Sequence, residues 1–289
     1  MNVFVTKAGG KRQLFDRQKV IKTCLVMGAT EEVAKEIADR IGLKVYDGIE
    51  TRKILQMILR LLSKYRPGVN HLFCLRKSLS LLDPKPDFER FIQILLSEHG
   101  YKVTPNLIMK GRCVEHEVDA IARKNGSIYL VEVKHHYNFH TYTGLDESRI
   151  AWAVLEDVNE GFELGINNLK IDKAMIVCNT KFSDQAKTYA MCKGIVQIGW
   201  SSPPDHGLQT LIEEKKLYPI TCIEGLKTSV RRELSNAGII LLRQLIEKSP
   251  AAFEKETGVK EEILKPIIEN AKQLLGLGPP VRRLLNPLC

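Results

Sequence analysis

Glu115-His116-Glu117-Val118-Asp119-Ala120-Ile121-Ala122-Arg123-Lys124-Asn125-Gly126-Ser127-Ile128-Tyr129-Leu130-Val131-Glu132-Val133-Lys134 is the stretch from which the fold is read. Apolar residues alternate on both sides of Asn125-Gly126. Asn-Gly between alternating runs is a strong hairpin signal, because both central positions of the turn need positive φ. A two-residue turn puts Lys124 opposite Ser127 and, counting outward, Asp119 opposite Glu132. Their Cβ atoms would lie roughly 4.5–5.5 Å apart. Lys134 follows Glu132 by two residues, so strand alternation puts it on the same side. Facing carboxylates repel unless a cation lies between them. A divalent metal beside Lys134 would remove that repulsion, and the pattern reads as a metal-dependent hydrolytic centre.

The rest of the chain sets bounds. Its 289 residues suffice for two or three domains, and 44% hydrophobic residues is ordinary for a globular protein. A formal charge of +9 and a pI near 9.1 favour a polyanionic partner, most simply nucleic acid. Seven scattered cysteines without a C-x-x-C read as reduced thiols of a cytoplasmic, DNA-associated protein. Met1-Asn2-Val3-Phe4-Val5-Thr6-Lys7 lacks the pattern of a signal peptide. No apolar run approaches the roughly 20 residues needed to span a bilayer, so no membrane partner is expected.

Punctuation predicts the domains. In 1–82, short strands flank Ala8-Gly9-Gly10, and Asp16, Thr30 and Thr51 can each cap a helix. Ile54, Leu55, Ile58, Leu59 and Leu62 have helical spacing, and Arg66-Pro67-Gly68 breaks the chain before one more helix. Asp83-Pro84-Lys85-Pro86 reads as a stiff linker. Segment 83–216 begins with a helix capped by Asp87 that buries Phe88, Phe91, Ile92 and Leu95. The hairpin follows, then a helix beginning at Asp146, a strand over 173–178, a helix capped by Ser183 and a strand over 195–200. The order α-β-β-β-α-β-α-β implies a mixed central sheet with helices on its faces. Segment 217–275 reads as wholly helical, with Gly225, Gly238 and Ser249-Pro250 as punctuation, and 276–289 as a flexible tail.

The hairpin with its E-x-K resembles the PD-(D/E)xK nuclease superfamily, and within it Mrr-like restriction endonucleases and archaeal junction resolvases. The similarity runs from about Asp87 to Leu217 and includes Glu89, Asp119, Glu132, Lys134 and a later strand-helix-strand around Phe182-Ser183-Asp184-Gln185-Ala186-Lys187. The strict motif begins Pro-Asp; here Val118 precedes Asp119. The resemblance implies phosphodiester hydrolysis with Mg²⁺ or Mn²⁺. Asp119 and Glu132 would supply hard oxygen ligands, with the Val133 carbonyl as a third. Lys134 would orient the attacking water or stabilise charge on the phosphorane-like transition state. Glu89 could hold a water from the helix start, or simply favour the positive end of its helix. His135, His136 and His140 invite a zinc reading, but no cysteine or glutamate partner stands at ligand spacing. A contact from His136 to a phosphate oxygen is the better expectation, and His116 would pack against the hairpin. The bland alternative makes Glu132 and Lys134 a surface ion pair.

Val5-Thr6-Lys7-Ala8-Gly9-Gly10, Phe15-Asp16, Lys19-Val20 and Tyr46-Asp47-Gly48-Ile49-Glu50-Thr51 resemble the ATP-cone, the regulatory nucleotide-binding domain of ribonucleotide reductases. The resemblance implies that Val5, Lys7, Lys19 and Thr51 contact ATP or dATP as a regulatory ligand. Two ammonium groups suit phosphates, and Thr51 would lie at a helix N-terminus, which favours anions. Ala8 and Gln13 depart from the family's basic and acidic residues. No Walker loop is present, so sensing rather than hydrolysis is implied. The alternative is that Lys7 and Lys19 are solvated surface lysines.

Ile220-Thr221-Cys222-Ile223-Glu224-Gly225-Leu226-Lys227, then Arg231-Arg232-Glu233-Leu234 and Ala237-Gly238-Ile239, is similar to a helix-hairpin-helix module. Such modules aim hairpin amides at DNA phosphates without reading sequence. Gly225 allows close approach, and Lys227, Arg231 and Arg232 would add charge. Lys227 stands where a second hairpin glycine is usual, and a helical packing module is the alternative. The fold class expected is therefore multidomain α+β: a helical ATP-cone with a small β-hairpin, a restriction-endonuclease-like α/β domain and an all-α helix-hairpin-helix domain. The function expected is a metal-dependent DNA endonuclease acting on duplex or branched DNA, regulated by ATP or dATP, as a homodimer to cut two strands. A nonenzymatic nucleotide-sensing DNA-binding regulator with a degenerate nuclease fold, and a nuclease acting on RNA, stay open.

Overall fold

The computed structural model describes residues 3–7, 12–27, 29–62, 64–65 and 69–277. Two compact units share the chain: Met1–Leu75 with Lys272–Cys289, and Arg76–Ala271. The expected turn Ala8-Gly9-Gly10, the break Arg66-Pro67-Gly68 and the tail after Leu277 lie outside the described residues.

The first unit contains β1 (Phe4–Thr6), β2 (Arg12–Leu14), α1 (Arg17–Val26), α2 (Glu31–Gly42), β3 (Ile49–Glu50), α3 (Thr51–Leu62) and the start of α4 (Val69–Ser80). Asp16 caps α1 by accepting the Gln18 amide at 2.9 Å, and Thr30 caps α2 by accepting the Val33 amide at 3.4 Å. Thr51 is itself the first residue of α3. The apolar stripe of α3 buries Ile54, Ile58 and Leu62 with Val5, Val20, Ile37, Ile41 and Ile49. β1 pairs antiparallel with β2 and parallel with β3. A strand at Ile49–Glu50 was not expected, since two residues carry no readable alternation. Asp47 secures it: its carboxylate accepts the Phe4 amide at 3.0 Å and meets Arg12 at 2.5 Å. Those two partners, the amide first, hold the Asp47 pKa below its usual range.

The second unit continues with α5 (Glu89–Glu98), β4 (Lys102–Lys110), β5 (Glu115–Lys124), β6 (Ser127–Lys134), β7 (Tyr142–Thr143), α6 (Leu145–Glu163), β8 (Lys173–Cys178), β9 (Lys181–Phe182), α7 (Asp184–Lys193), β10 (Val196–Ile198) and α8 (Leu208–Lys215). The sheet order is β10-β8-β6-β5-β4. β4, β5 and β6 form an antiparallel meander, and β6, β8 and β10 run parallel, which is the mixed sheet expected. Leu130, Ala174 and Ile176 pack with Leu155 and Val158 of α6 and Ala186 and Ala190 of α7. α5 packs on β4 and β5 and buries Phe91, Ile92 and Leu95.

Two local expectations need correction. Asp87 does not cap α5; the residue before the helix is Phe88, which makes no side-chain cap, and the Asp87 carboxylate instead accepts the Ser235 hydroxyl. Asp87 lies inside a wide turn over Pro84–Phe88 that the linker prolines build. Helix α6 begins at Leu145 with Gly144 as its cap, leaving Asp146 in the first turn, where its charge suits the helix dipole.

The end of this unit is helical: a short turn at Ile220–Cys222, α9 (Thr228–Asn236), another turn at Gln244–Ile246, α10 (Pro250–Thr257) and most of α11 (Glu261–Leu274). The element preceding Gly225 is thus a three-residue 3₁₀ turn rather than a full helix. Gly225 has φ +75°, which a residue with a Cβ rarely adopts. Thr221 donates to the Ser78 carbonyl at 2.7 Å, and Arg243 meets Glu98 at 2.7 Å, so this segment is fastened to α4 and α5. Among the described residues no helix is long and apolar enough to cross a membrane.

Candidate active site

The hairpin has the register expected from Asn125-Gly126. Lys124 pairs with Ser127, and the ladder continues to Ala120 opposite Val131. Asn125 and Gly126 take φ +50° and +78°, the signs a tight I′ turn requires. At Asp119 the regular pattern stops. On the β4 side, Pro105↔Ala120 and Leu107↔Val118 pair regularly, while Asn106, opposite Asp119, adopts φ +45°. Val118 and Ile121, three residues apart, both enter the same core, so strand alternation changes phase across Asp119. Such interruptions re-aim a side chain, and they recur beside functional sites. Here the Asp119 carboxylate turns to accept the Val133 amide through Oδ2 at 2.7 Å.

Side chains missed in the sequence fill the gap. Gln93 Nε2 donates to the Asp119 carbonyl at 3.1 Å and to Asn106 Oδ1 at 2.9 Å. Asn106 Nδ2 donates to Glu89 Oε2 at 3.3 Å. Gln93 stands one helical turn after Glu89, so both face the sheet, and that spacing was a usable signal. Lys85 belongs to the stretch that reads as a linker, yet it reaches this cluster. Its Nζ lies 3.2 Å from Glu89 Oε1, 2.8 Å from Glu117 Oε1 and 3.7 Å from Asp119 Oδ1. These carboxylates, Glu117 foremost, raise the Lys85 pKa against the opposing effect of burial. Glu89 is buried, and burial followed by repulsion from Asp119 pushes its pKa up despite Lys85.

Glu132 and Lys134 share the face that alternation assigned them. Lys134 Nζ meets Glu132 Oε1 at 2.8 Å and Glu147 Oε2, on the first turn of α6, at 3.2 Å. Burial is the main reason the Glu132 pKa is raised; the charge of Asp119 adds to it. Burial would depress Lys134, but Glu132 and Glu147 outweigh it and its pKa is raised. These groups form a half-buried network rather than an exposed ion pair.

Buried carboxylates with raised pKa values mark a place where added positive charge is favourable. Among the described residues no group of three His, Cys, Asp or Glu forms a ready-made metal cage. That donor set still fits Mg²⁺ or Mn²⁺, since Mg²⁺ commonly takes one or two carboxylates and fills its remaining positions with water and phosphate oxygens. Val133 meets this cluster through its amide.

The other expected residues have the following surroundings. His136 Nε2 lies 3.1 Å from Thr143 Oγ1, its backbone is clamped on both sides by Asn179, and burial lowers its pKa. His135 lies against the Leu79 carbonyl at 3.1 Å, while His140 is exposed, so the three histidines do not converge on one ion. His116 does not merely pack: its Nε2 meets Asp157 Oδ2 at 2.7 Å. Asp157 also accepts the Cys113 and Val114 amides, and these bonds, His116 first, hold its pKa down to about 2. In the first unit Val5 is buried, Lys7 and Lys19 are exposed, and Thr51 follows β3 directly, beside the end of β1 that carries Lys7. Near Gly225, Lys227 and Arg232 are exposed. Arg231 is engaged internally: its guanidinium donates to the Leu81 carbonyl and lies 3.4 Å from Asp83 Oδ1.

Residues 82–198 match the restriction endonuclease family, and residues 218–275 match the AF1548-like C-terminal family. An uncharacterized protein of Archaeoglobus fulgidus is 37% identical over 183 residues, which are 63% of this chain and 98% of that protein. The crystal structure of a protein of unknown function, AF1548, is similar at 36% identity, covering 65% of this chain and 96% of its own with a TM-score of 0.56. The chain belongs to the AF1548-like family, with a restriction endonuclease-like domain at residues 82–198.

Proposed function

We propose that the protein is a metal-dependent DNA endonuclease with Asp119, Glu132, Lys134 and Glu89 at its centre. The observation that carries this reading is the juxtaposition of these groups within a restriction endonuclease domain. Three carboxylates come together around the break in β5, two of them with pKa values raised by burial, beside a lysine held at 2.8 Å from Glu132. Asp119 and Glu132, joined by the Val133 carbonyl, would hold the ion. When bound, Mg²⁺ or Mn²⁺ supplies Lewis-acid polarisation of the scissile phosphate. Lys134 stabilises charge on the phosphate oxygens, and Glu147 keeps its ammonium aimed. Gln93 and Asn106 fix Asp119 and Glu89. His136, tied to Thr143, supports the loop after Lys134.

Exposed Lys227 and Arg232 beside Gly225 serve as phosphate contacts for duplex or branched DNA. Val5, Lys7, Lys19 and Thr51 form the ATP or dATP site; the neighbouring ends of β1 and β3 support it. The working form is a homodimer, one centre for each strand.

The test is cleavage of supercoiled, linear, single-stranded and four-way-junction DNA by wild type and Asp119→Ala, with Mg²⁺ or Mn²⁺ and with no nucleotide, ATP or dATP. No cleavage of any substrate, or equal cleavage by the variant, overturns the catalytic reading. Equal activity in all three nucleotide conditions overturns the regulatory one.

A further inference from the structure

Lys85 occupies an unusual place for a residue in a Pro-Lys-Pro segment. Its ammonium touches carboxylates from three positions of the centre: Glu117 at 2.8 Å, Glu89 at 3.2 Å and Asp119 at 3.7 Å. The backbone on either side is anchored to α9. Arg231 binds the Leu81 carbonyl and Asp83, and the Ser235 hydroxyl binds Asp87. Arg90 then returns to the Ser235 carbonyl at 3.2 Å. The Lys85 side chain is 57% exposed, yet its ammonium lies over the acidic cluster rather than pointing away from it.

Glu89 and Asp119 are 4% and 7% exposed, too buried to be neutralised by bulk counter-ions alone. One ammonium against three carboxylates leaves the group negative. A divalent ion would satisfy it better, but must approach carboxylate oxygens to about 2.0–2.1 Å. Doing so would bring two cations onto the same oxygens, where their repulsion is strong.

We propose that Lys85 is a tethered internal counter-ion that competes with the divalent metal for Asp119, and withdraws from the acidic cluster when the metal binds. It is a positioning residue: it keeps the carboxylates gathered in the metal-free protein and weakens metal binding until the ion displaces it. This inference rests on the metal-centre reading proposed above.

The test is Mn²⁺ binding to the full-length protein without DNA, followed by the loss of the free-ion electron paramagnetic resonance signal. Wild type, Lys85→Met, Lys85→Arg and Asp119→Ala are compared, each checked by circular dichroism. Lys85→Met is expected to bind Mn²⁺ roughly tenfold more tightly, the order for losing one half-exposed charge at contact distance. Lys85→Arg, which keeps the charge, stays near wild type. In the wild type, saturating Mn²⁺ makes Lys85 more reactive toward an amine-acylating reagent, read by peptide mass spectrometry. Unchanged or weaker binding by Lys85→Met, or a Lys85 reactivity indifferent to Mn²⁺, overturns the proposal while leaving the metal centre standing if Asp119→Ala abolishes binding. Absence of Mn²⁺ binding by wild type, or equal binding by Asp119→Ala, overturns both.

Discussion

Asp119 Oδ2 accepts the Val133 amide at 2.7 Å, at a level where neither neighbouring strand pairs with Asp119. The bond spends one carboxylate oxygen on the fold and leaves Oδ1 on the side of Lys85 and Glu89. Asp119→Asn keeps an oxygen able to accept that amide but loses the charge. It is expected to fold with near wild-type stability and to cut DNA about 100-fold or more slowly. Urea unfolding and Mg²⁺-dependent plasmid nicking check the two halves separately. Glu132→Gln and Lys134→Ala should lose activity on the same scale.

Glu132 has a folded-state pKa raised above its ordinary value of 4.5, mainly by burial. Its neutral form therefore stabilises the fold relative to its ionised form. That contribution is present below the unfolded pKa and is lost as pH rises through the folded one. Metal-free Glu132→Gln is expected to be more stable than wild type at neutral pH, with the two converging near pH 4. Cleavage and metal binding have the opposite sign, since both need the carboxylate, and should fall as pH drops through the raised value. Thermal melts across pH with and without Mg²⁺ check it: the ion should raise the wild-type Tm more than that of the variant.

Asp157 shows the reverse linkage. Its folded pKa lies near 2, below the ordinary 3.8. The stability it contributes is present above the unfolded value and is lost as pH falls from about 4 toward 2. Asp157→Asn should lower the urea midpoint at pH 7, and the gap to wild type should close in that acid window. Gly111→Ala is expected to damage the same network, because an added Cβ would overlap Asp157 Oδ2.

Arg231 and Arg232 are adjacent in sequence and different in role. Arg231→Ala removes the hold on Leu81 and Asp83 and should cost about 1–3 kcal/mol of stability. Arg232, exposed on α9, should leave stability unchanged when replaced by Ala. If it contacts phosphate, its loss weakens binding to all duplexes alike and lowers the salt dependence by about one charge. Chemical denaturation and fluorescence-anisotropy titrations at several salt concentrations separate the two.

Much of this was legible in the order of residues. Asn125-Gly126 could form few other turns, and the turn alone dictated the pairing of β5 with β6 from Lys124 opposite Ser127 to Ala120 opposite Val131. Asp16, Thr30, Ser183 and Ser249 cap their helices through bonds that need only three or four residues of sequence to form. The mixed sheet followed from the order of helical and strand periods. Local chemistry of this kind does not wait for tertiary contacts.

The sequence by itself determined the hairpin, its register and the sharing of one face by Glu132 and Lys134, because strand geometry has a period of two and a turn has a fixed length. Only the tertiary structure decided that Asp119 leaves that period to bind Val133, that Lys85 leaves a linker to join the carboxylates, and that Asp87 caps nothing. It also turned Arg231 inward toward Leu81. Each of these depends on partners far away in the chain, brought close once the core has formed. Burial then makes an unpaired charge costly enough to override the local preference.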